Sequence, residues 1–415
     1  MYYRQPRYWD SFQCIGGGCS DNCCARKWRI DWSKEEIDKV KNAPNCSDEL
    51  RTLMETNFKP NPHLDNYMVI TLDEKNRCPM LTEDKFCRIQ RELGAEYLSF
   101  TCMNYPRMYF VTGSVVYRNC SASCPEIMKK LLNDEKCMDM VNARIRVEKT
   151  IPGSQFDSPE KVKEHPEWKY VVEAREFFYD IISDRKLPTE SCIILGALAA
   201  QALTKLIGTG EYDRIPEALK SFKAQMHNAE QLRSIENIRP NYNIKLGVTD
   251  KLSRELFSSD MINSLIDGDG KPNIDRYIRA EALLNKEFEN RQFAWRNIAL
   301  NLLLEVGVPF KFEELTVFET YSIFVISYAL IRYNTLTVMS YNDRLLGKKT
   351  AVSAENNNEL KLNFRVGLNT EQYIAGFSTS VSRILMHNPD LLKRISKQLK
   401  DLGITSPAYL ALLVK

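Results

Sequence analysis

The sequence has almost no net charge: 57 Lys and Arg stand against 54 Asp and Glu in 415 residues. That balance gives no reason to expect a nucleic-acid or anionic-membrane partner, because long-range attraction to a polyanion needs a surplus of positive charge. Histidine is scarce, and none of the four (His63, His165, His227, His387) falls inside a cysteine motif. His63, in "NPHLD", is the one left open as a ligand. The opening "MYYRQPRYWDSFQC" lacks the apolar core of a secretory signal. The most apolar stretch, "YSIFVISYALI", runs eleven residues between Glu319 and Arg332, whereas a bilayer span takes about 20. The expectation is a buried helix in a soluble, cytoplasmic protein without a membrane partner.

Two familiar motifs are also missing. No C-x2-C knuckle occurs, so ordinary structural zinc is poorly matched. The only glycine-rich candidate for a nucleotide-binding turn, "LIGTGEY" (Leu206 to Tyr212), follows the helical pattern "ILGALAAQALTK" rather than a strand. That context defeats the motif, and no alternation of strands and helices surrounds it.

What the chain does have is cysteine, very unevenly placed. Eleven of twelve lie in the first third, at 14, 19, 23, 24, 46, 78, 87, 102, 120, 124 and 137; Cys192 stands apart. In a reducing compartment such clustering points to metal binding or chemistry rather than disulfides. Cys137 and Cys192 read as buried hydrophobes, and Cys46 is open between the two. The densest run, "CIGGGCSDNCC", is C-x4-C-x3-C-C. Short spacings let thiolates converge without a long loop to order. Its glycines permit tight wrapping and can aim backbone amides at sulfur, which tunes an iron–sulfur centre. Adjacent Cys23 and Cys24 point apart, so one would ligate while the other packs behind or serves a second site. Spacing alone does not separate iron–sulfur from zinc.

The length argues for two or three domains. In "DWSKEEIDKVKNA", Ser33 and Glu36 form a capping box that opens a helix. "NYMVITL" (Asn66 to Leu72) and "RMYFVTGSVVYRNC" (Arg107 to Cys120) read as strands, the second a hairpin turning at Thr112–Ser114. "PEIMKKLLND" reads as a helix with Pro125 at its first position. The positive end of that helix would stabilise a Cys124 thiolate. After a Pro-rich stretch, "SCIILGALAAQALTKLI", "RIPEALKSFKAQMHNAEQLRSI", "FAWRNIALNLLLEVG" and "LTVFETYSIFVISYALIRYN" carry helical spacing. The fold class is therefore mixed: a cysteine-rich α+β metal or cluster module over 1–147, a linker over 148–168, and a mainly all-α region over 169–415. The stretch "LLGKKTAVSAENNNELK" (Leu345 to Lys361) is a loop that would border a substrate groove in the helical region.

Taken in order, C-x4-C-x3-CC, "CPML", "CRIQRELGAEYLSFTCMNYPR" and "RNCSASCPE" resemble the bacterial flagellin lysine N-methylases, within the CxxCxxCC zinc- or iron-chelating superfamily. The resemblance is dense over residues 14 to about 130. It implies methyl transfer from S-adenosylmethionine to lysines of flagellin, with a [4Fe-4S] cluster, zinc being the alternative metal. The ligand pool it implies is Cys14, Cys19, Cys23, Cys24, Cys78, Cys87, Cys102 and Cys124, with Cys120 less certain. Around those cysteines, Tyr105 and Glu126 are candidates for contacting and deprotonating the amine, Arg107 for holding a carboxylate, and Tyr109 for presenting an aromatic face to the cofactor. The competing expectation is a non-catalytic module stapled by metal, whose helical region binds a protein partner.

Overall fold

The computed structural model describes residues 2–19, 21–25, 30–62, 65–144, 155–257, 273–310, 313–346, 369–386 and 389–415. Contacts divide the chain into two compact units. One is Ser11–Met108 together with Cys124–Glu126; the other takes the first ten residues, Tyr109–Ser123 and everything from Ile127 onward. This grouping does not follow a boundary near residue 147, and the reason lies in strand pairing.

Seven strands occur among the described residues: β1 (Tyr2–Pro6), β2 (Asp31–Ser33), β3 (Phe58–Pro60), β4 (Tyr67–Ile70), β5 (Arg107–Val111), β6 (Val115–Cys120) and β7 (Met140–Arg144). They form a four-stranded sheet in the order β5-β6-β1-β7 and a three-stranded sheet in the order β2-β4-β3. β1 runs parallel to β6, with Tyr3 opposite Val116, and antiparallel to β7, with Tyr3 opposite Ala143. Pairings across more than a hundred residues thus take the start of the chain and most of the hairpin away from the cysteine-rich module.

The smaller unit has its own apolar core, built from Ile30, Trp32, Ile37, Val40, Leu50, Met54, Phe58, Ile70, Met80 and Ile89. Helix Lys34–Lys41 starts at the capping box expected of Ser33: the hydroxyl accepts from the Glu36 amide, and the Glu36 carboxylate accepts from the Ser33 amide. A second helix, Asp48–Asn57, is capped by Ser47, and both bury their apolar faces in this core. β2 and β3 flank β4 antiparallel, with Trp32 opposite Met68 and Lys59 opposite Val69.

In the larger unit the apolar stretch seen in the sequence is the middle of a much longer helix, Val317–Leu346, of 30 residues. Its length and that of Thr189–Gly208 would each reach across a bilayer. The long helix is clad by protein: the most apolar window within Val317–Ser340 is 94% buried, packed by Thr189–Gly208, Tyr242–Leu256, Ile274–Glu287, Gln292–Val306 and Thr370–Met386. Two of its interior hydroxyls return to the backbone one turn back, Ser322 to the Phe318 carbonyl and Ser327 to that of Ile323, both at 2.7 Å.

The segment read as one helical pattern from Arg214 to Ile235 is two helices, Ile215–Gln225 and Ala229–Glu236, because Asn228 caps the second through its side chain. Part of the expected linker is ordered: Pro159–Glu164 is helical, and the rings of Phe156 and Trp168 stack at 4.1 Å. Its first residues, up to 154, lie outside the described residues, as do 347–361 of the loop that begins at Leu345.

A buried polar network crosses the larger unit. The Glu305 carboxylate, fully buried, accepts from the Ala122 amide, the Asn301 amide group and the Ser382 hydroxyl. Tyr8 joins it, accepting from the Cys120 amide at 2.8 Å and donating to Asn119 Oδ1 at 2.6 Å. Residues 119–123 are thereby held from within the core, which satisfies groups that would otherwise be costly to bury.

Candidate functional site

All eight cysteines of the implied ligand pool fall in the smaller unit, while Cys120, Cys137 and Cys192 fall in the larger one. No disulfide joins any of the twelve cysteines, all of which lie among the described residues. Two loops bring most of the eight together. The first, residues 14–25, includes short 3-10 turns at Gly16–Gly18 and Cys23–Ala25. The second runs from Cys78 to Cys87, closed by an antiparallel bridge between Leu81 and Cys87. Cys87 then leads into helix Arg88–Glu92, and Cys102 sits in helix Phe100–Asn104, whose N-cap is Ser99.

Two glycines of the first loop serve close packing. A side-chain carbon on Gly17 would stand 2.6 Å from the Asp84 carbonyl oxygen, and one on Gly16, which has φ +55°, 2.8 Å from the Phe86 ring. One glycine amide does reach sulfur: Gly16 donates to Cys14 Sγ at 3.5 Å. Other amide and hydroxyl donors to sulfur come from elsewhere. The amides of Gln90 and Ile89 face Cys87, the amide of Met80 faces Cys78, and the Ser99 hydroxyl faces Cys102.

The thiols feel one another. Cys24 is raised by its hydrogen bond with Cys23, then by burial and by the fields of Cys78 and Cys87. Burial pushes Cys78 and Cys102 up to about 12, reinforced for Cys78 by Cys87 and Cys23, and for Cys102 by Cys78, Cys87 and Cys23. Cys87 is raised by burial and again by Cys23. Five sulfurs, Cys23, Cys24, Cys78, Cys87 and Cys102, therefore occupy one neighbourhood. Three of them, Cys24, Cys87 and Cys102, pack against the module's apolar core. Cys19 lies at the edge, raised by burial and by Asp21, Glu126 and Cys23. Cys14 is exposed, and Cys124 is buried at the start of helix Pro125–Asn133. Among the described residues no three His, Cys, Asp or Glu side chains converge tightly enough to ligate a single ion.

The field of Glu126 reaches the Cys19 thiol. Tyr105 ends the Cys102 helix, its amide bonded to the Thr101 carbonyl at 2.9 Å. The Arg107 guanidinium lies over the Phe12 ring at 5.2 Å. Tyr109 belongs to the other unit, where its ring meets Trp9 edge-on at 5.7 Å. Cys46 is in the apolar core of the smaller unit, and Cys137 and Cys192 are fully buried. His165 and His227 are in the larger unit, and His63 and His387 lie outside the described residues. "LIGTGEY" is a helix end: Gly208 closes Thr189–Gly208, and Gly210, with φ +75°, turns the chain.

Sequence reasoning passed over Asn22. Its Oδ1 accepts the Cys24 amide at 2.8 Å, and its Nδ2 donates to the Lys85 carbonyl at 2.9 Å. The signal was an Asn two residues before a cysteine, a common start for a side-chain-capped turn.

Comparison with known proteins gives this arrangement its class. A family model described as the FliB lysine N-methylase C-terminal domain matches residues 175–413, more than half of the chain. The flagellar biosynthetic protein FliU of Salmonella muenchen is 33% identical over 138 residues, 32% of this chain and 79% of that protein. Lysine-N-methylases of Salmonella typhimurium strain LT2 and Salmonella choleraesuis are each 25% identical over 284 residues, 66% of this chain and 65% of theirs. The aligned part thus spans just under two thirds of those two relatives. No solved structure matches the chain. By class the chain is a protein-lysine methyltransferase. It belongs to the FliB lysine N-methylase family. The family match lies in the helical region, where the cysteine motifs carried no information.

Proposed function

We propose that the chain methylates lysine side chains of flagellin, using S-adenosylmethionine and a [4Fe-4S] cluster held by the thiol module. The observation that carries this reading is the shared neighbourhood of Cys23, Cys24, Cys78, Cys87 and Cys102 in a lysine N-methylase family member. The donor set suits such a group. No disulfide joins the five thiols, and burial opposes the ionisation of Cys78, Cys87 and Cys102 until a cation compensates. Amide and hydroxyl donors already face three of the sulfurs, as is usual around iron–sulfur centres. A cluster of four irons also holds its cysteines further apart than one ion does, in keeping with sulfurs that are neighbours without converging.

Cys78, Cys87 and Cys102 would hold the group, with Cys23 or Cys24 nearby. When bound, the cluster supplies an iron that can take the amino and carboxylate groups of a methionine moiety, and S-adenosylmethionine supplies an electrophilic methyl. The rest falls to the protein. A substrate lysine, with a free pKa of about 10.4, must lose its proton before it can act as a nucleophile. Glu126, beside Cys19, is the proposed acceptor of that proton, and Tyr105 a contact for the amine. Arg107 is proposed to hold a carboxylate. The protein is proposed to act in the cytoplasm.

One observation favours a second reading. Cys24, Cys87 and Cys102 pack on the module's apolar core, so a metal there would also staple a small fold, as structural zinc does. Mass spectrometry of flagellin incubated with anaerobically purified protein and isotopically labelled S-adenosylmethionine separates the two. Labelled methyl on lysine, lost in Cys78→Ser and Cys102→Ser, supports the methylase. Unmodified flagellin with a zinc-loaded protein supports the staple.

A further inference from the structure

We propose that Asn22 is a positioning residue that locks the two thiol-bearing loops into a single ligand set; this rests on reading the thiols as that set. The two loops are far apart in sequence, and bringing them together costs chain entropy. Only specific contacts can then fix one loop's sulfurs relative to the other's. Three such contacts are present. The Cys78 amide donates to the Cys24 carbonyl at 2.8 Å. Gly17 lies so close beneath the second loop that a side-chain carbon would meet the Asp84 carbonyl. Asn22 supplies the side-chain contact, and it works in both directions.

Its amide oxygen accepts the Cys24 N–H, folding the first loop so that Cys23 and Cys24 follow a fixed turn. Its amide nitrogen donates to the carbonyl of Lys85, two residues before Cys87. A planar amide carries its acceptor and its donor on separate atoms, so one side chain can reach both loops; an ionised carboxylate has no donor, and a hydroxyl offers both only from a single oxygen. One group therefore sets the turn of Cys23 and Cys24 and their separation from Cys78 and Cys87. Outer contacts that orient ligands in this way typically change metal affinity by about 10–100-fold when removed.

Two substitutions separate the halves of the contact. Asn22→Asp keeps the acceptor for the Cys24 amide and loses the donor to Lys85; Asn22→Ala loses both. Two readouts apply. The first is iron retained against a competing chelator, together with the low-temperature EPR spectrum of the reduced protein. The second is the alkylation rate of Cys23, Cys24 and Cys87 in metal-free protein, followed by peptide mass spectrometry. The proposal predicts that both variants keep wild-type circular dichroism, lose iron about 10–100-fold more readily and show an altered EPR line. It also predicts faster alkylation of Cys24 in both. Wild-type behaviour of Asn22→Asp in both readouts would overturn the inter-loop role. If the wild-type protein takes up no iron, the cluster reading fails, and the alkylation rates still decide whether Asn22 joins the loops.

Discussion

Gly17 and the carbonyl of Asp84 are in contact so close that any side chain at position 17 would stand 2.6 Å from that oxygen. The opposing atom is backbone, so relief requires moving the second thiol loop as a whole. Gly17→Ala is accordingly expected to separate the loops while leaving the helical region folded. Metal analysis should find substantially less bound iron than in wild type, while far-ultraviolet circular dichroism stays nearly unchanged. Gly18, where a side-chain carbon would meet only the Ile15 side chain, at 4.0 Å, is the control: Gly18→Ala should retain iron.

Cysteine substitutions should sort by location. Cys78→Ser and Cys102→Ser remove sulfurs from the shared neighbourhood and are expected to abolish iron retention. Cys192→Ala lies in the helical region, where the thiol donates to the Asp184 carbonyl and receives the Arg296 guanidinium. It should keep its iron and lose about 1 kcal/mol of stability, measured by urea unfolding. Iron loss in Cys192→Ala equal to that in Cys102→Ser would contradict the assignment.

The metal-free protein should weaken at alkaline pH. Cys78 and Cys102 are raised from 9.0 to about 12 in the folded chain, chiefly by burial. Between those values the unfolded thiols have lost protons that the folded ones keep, so the unfolded state binds fewer protons and stability falls as pH rises. The contribution is intact below about pH 9 and lost on approaching 12. Denaturant midpoints of metal-free protein across that window should decline. Metal-loaded protein should decline less, because its thiolates are already deprotonated.

Glu305 tests the buried network of the larger unit. Glu305→Ala leaves the Ala122 amide, the Asn301 side chain and the Ser382 hydroxyl without their acceptor. Each buried group so stranded costs about 1–3 kcal/mol. A loss of about 3 kcal/mol or more in urea unfolding is expected, with Glu305→Gln losing less because one oxygen remains. A neutral Glu305→Ala would show that the network does not support the fold.

Local signals were the legible ones. Ser33 with Glu36, the Thr112–Ser114 turn and Pro125 at a helix start each act within a few residues, and each appears where expected. Long-range pairing was not legible. Nothing near Tyr3 announces that its strand lies between β6 and β7, so the unit boundary could not be read from composition. The helical spacing of "LTVFETYSIFVISYALIRYN" stops at Asn334, whereas the helix runs on to Leu346, because the next turn carries polar Thr335 and Thr337, both buried among other helices. The cysteine motifs were visible at once. Which of them share a neighbourhood depends on closing the loop between Cys24 and Cys78, and that is a property of the fold.

The central claim is that the thiol module holds a cluster that meets S-adenosylmethionine. The most direct measurement is anaerobic purification followed by analysis of iron, labile sulfide and zinc, with absorption spectra recorded with and without S-adenosylmethionine. The account predicts iron and sulfide in equal amounts, about four of each per chain, and a spectrum that changes when S-adenosylmethionine is added. Stoichiometric zinc without sulfide, and a spectrum indifferent to S-adenosylmethionine, would contradict it.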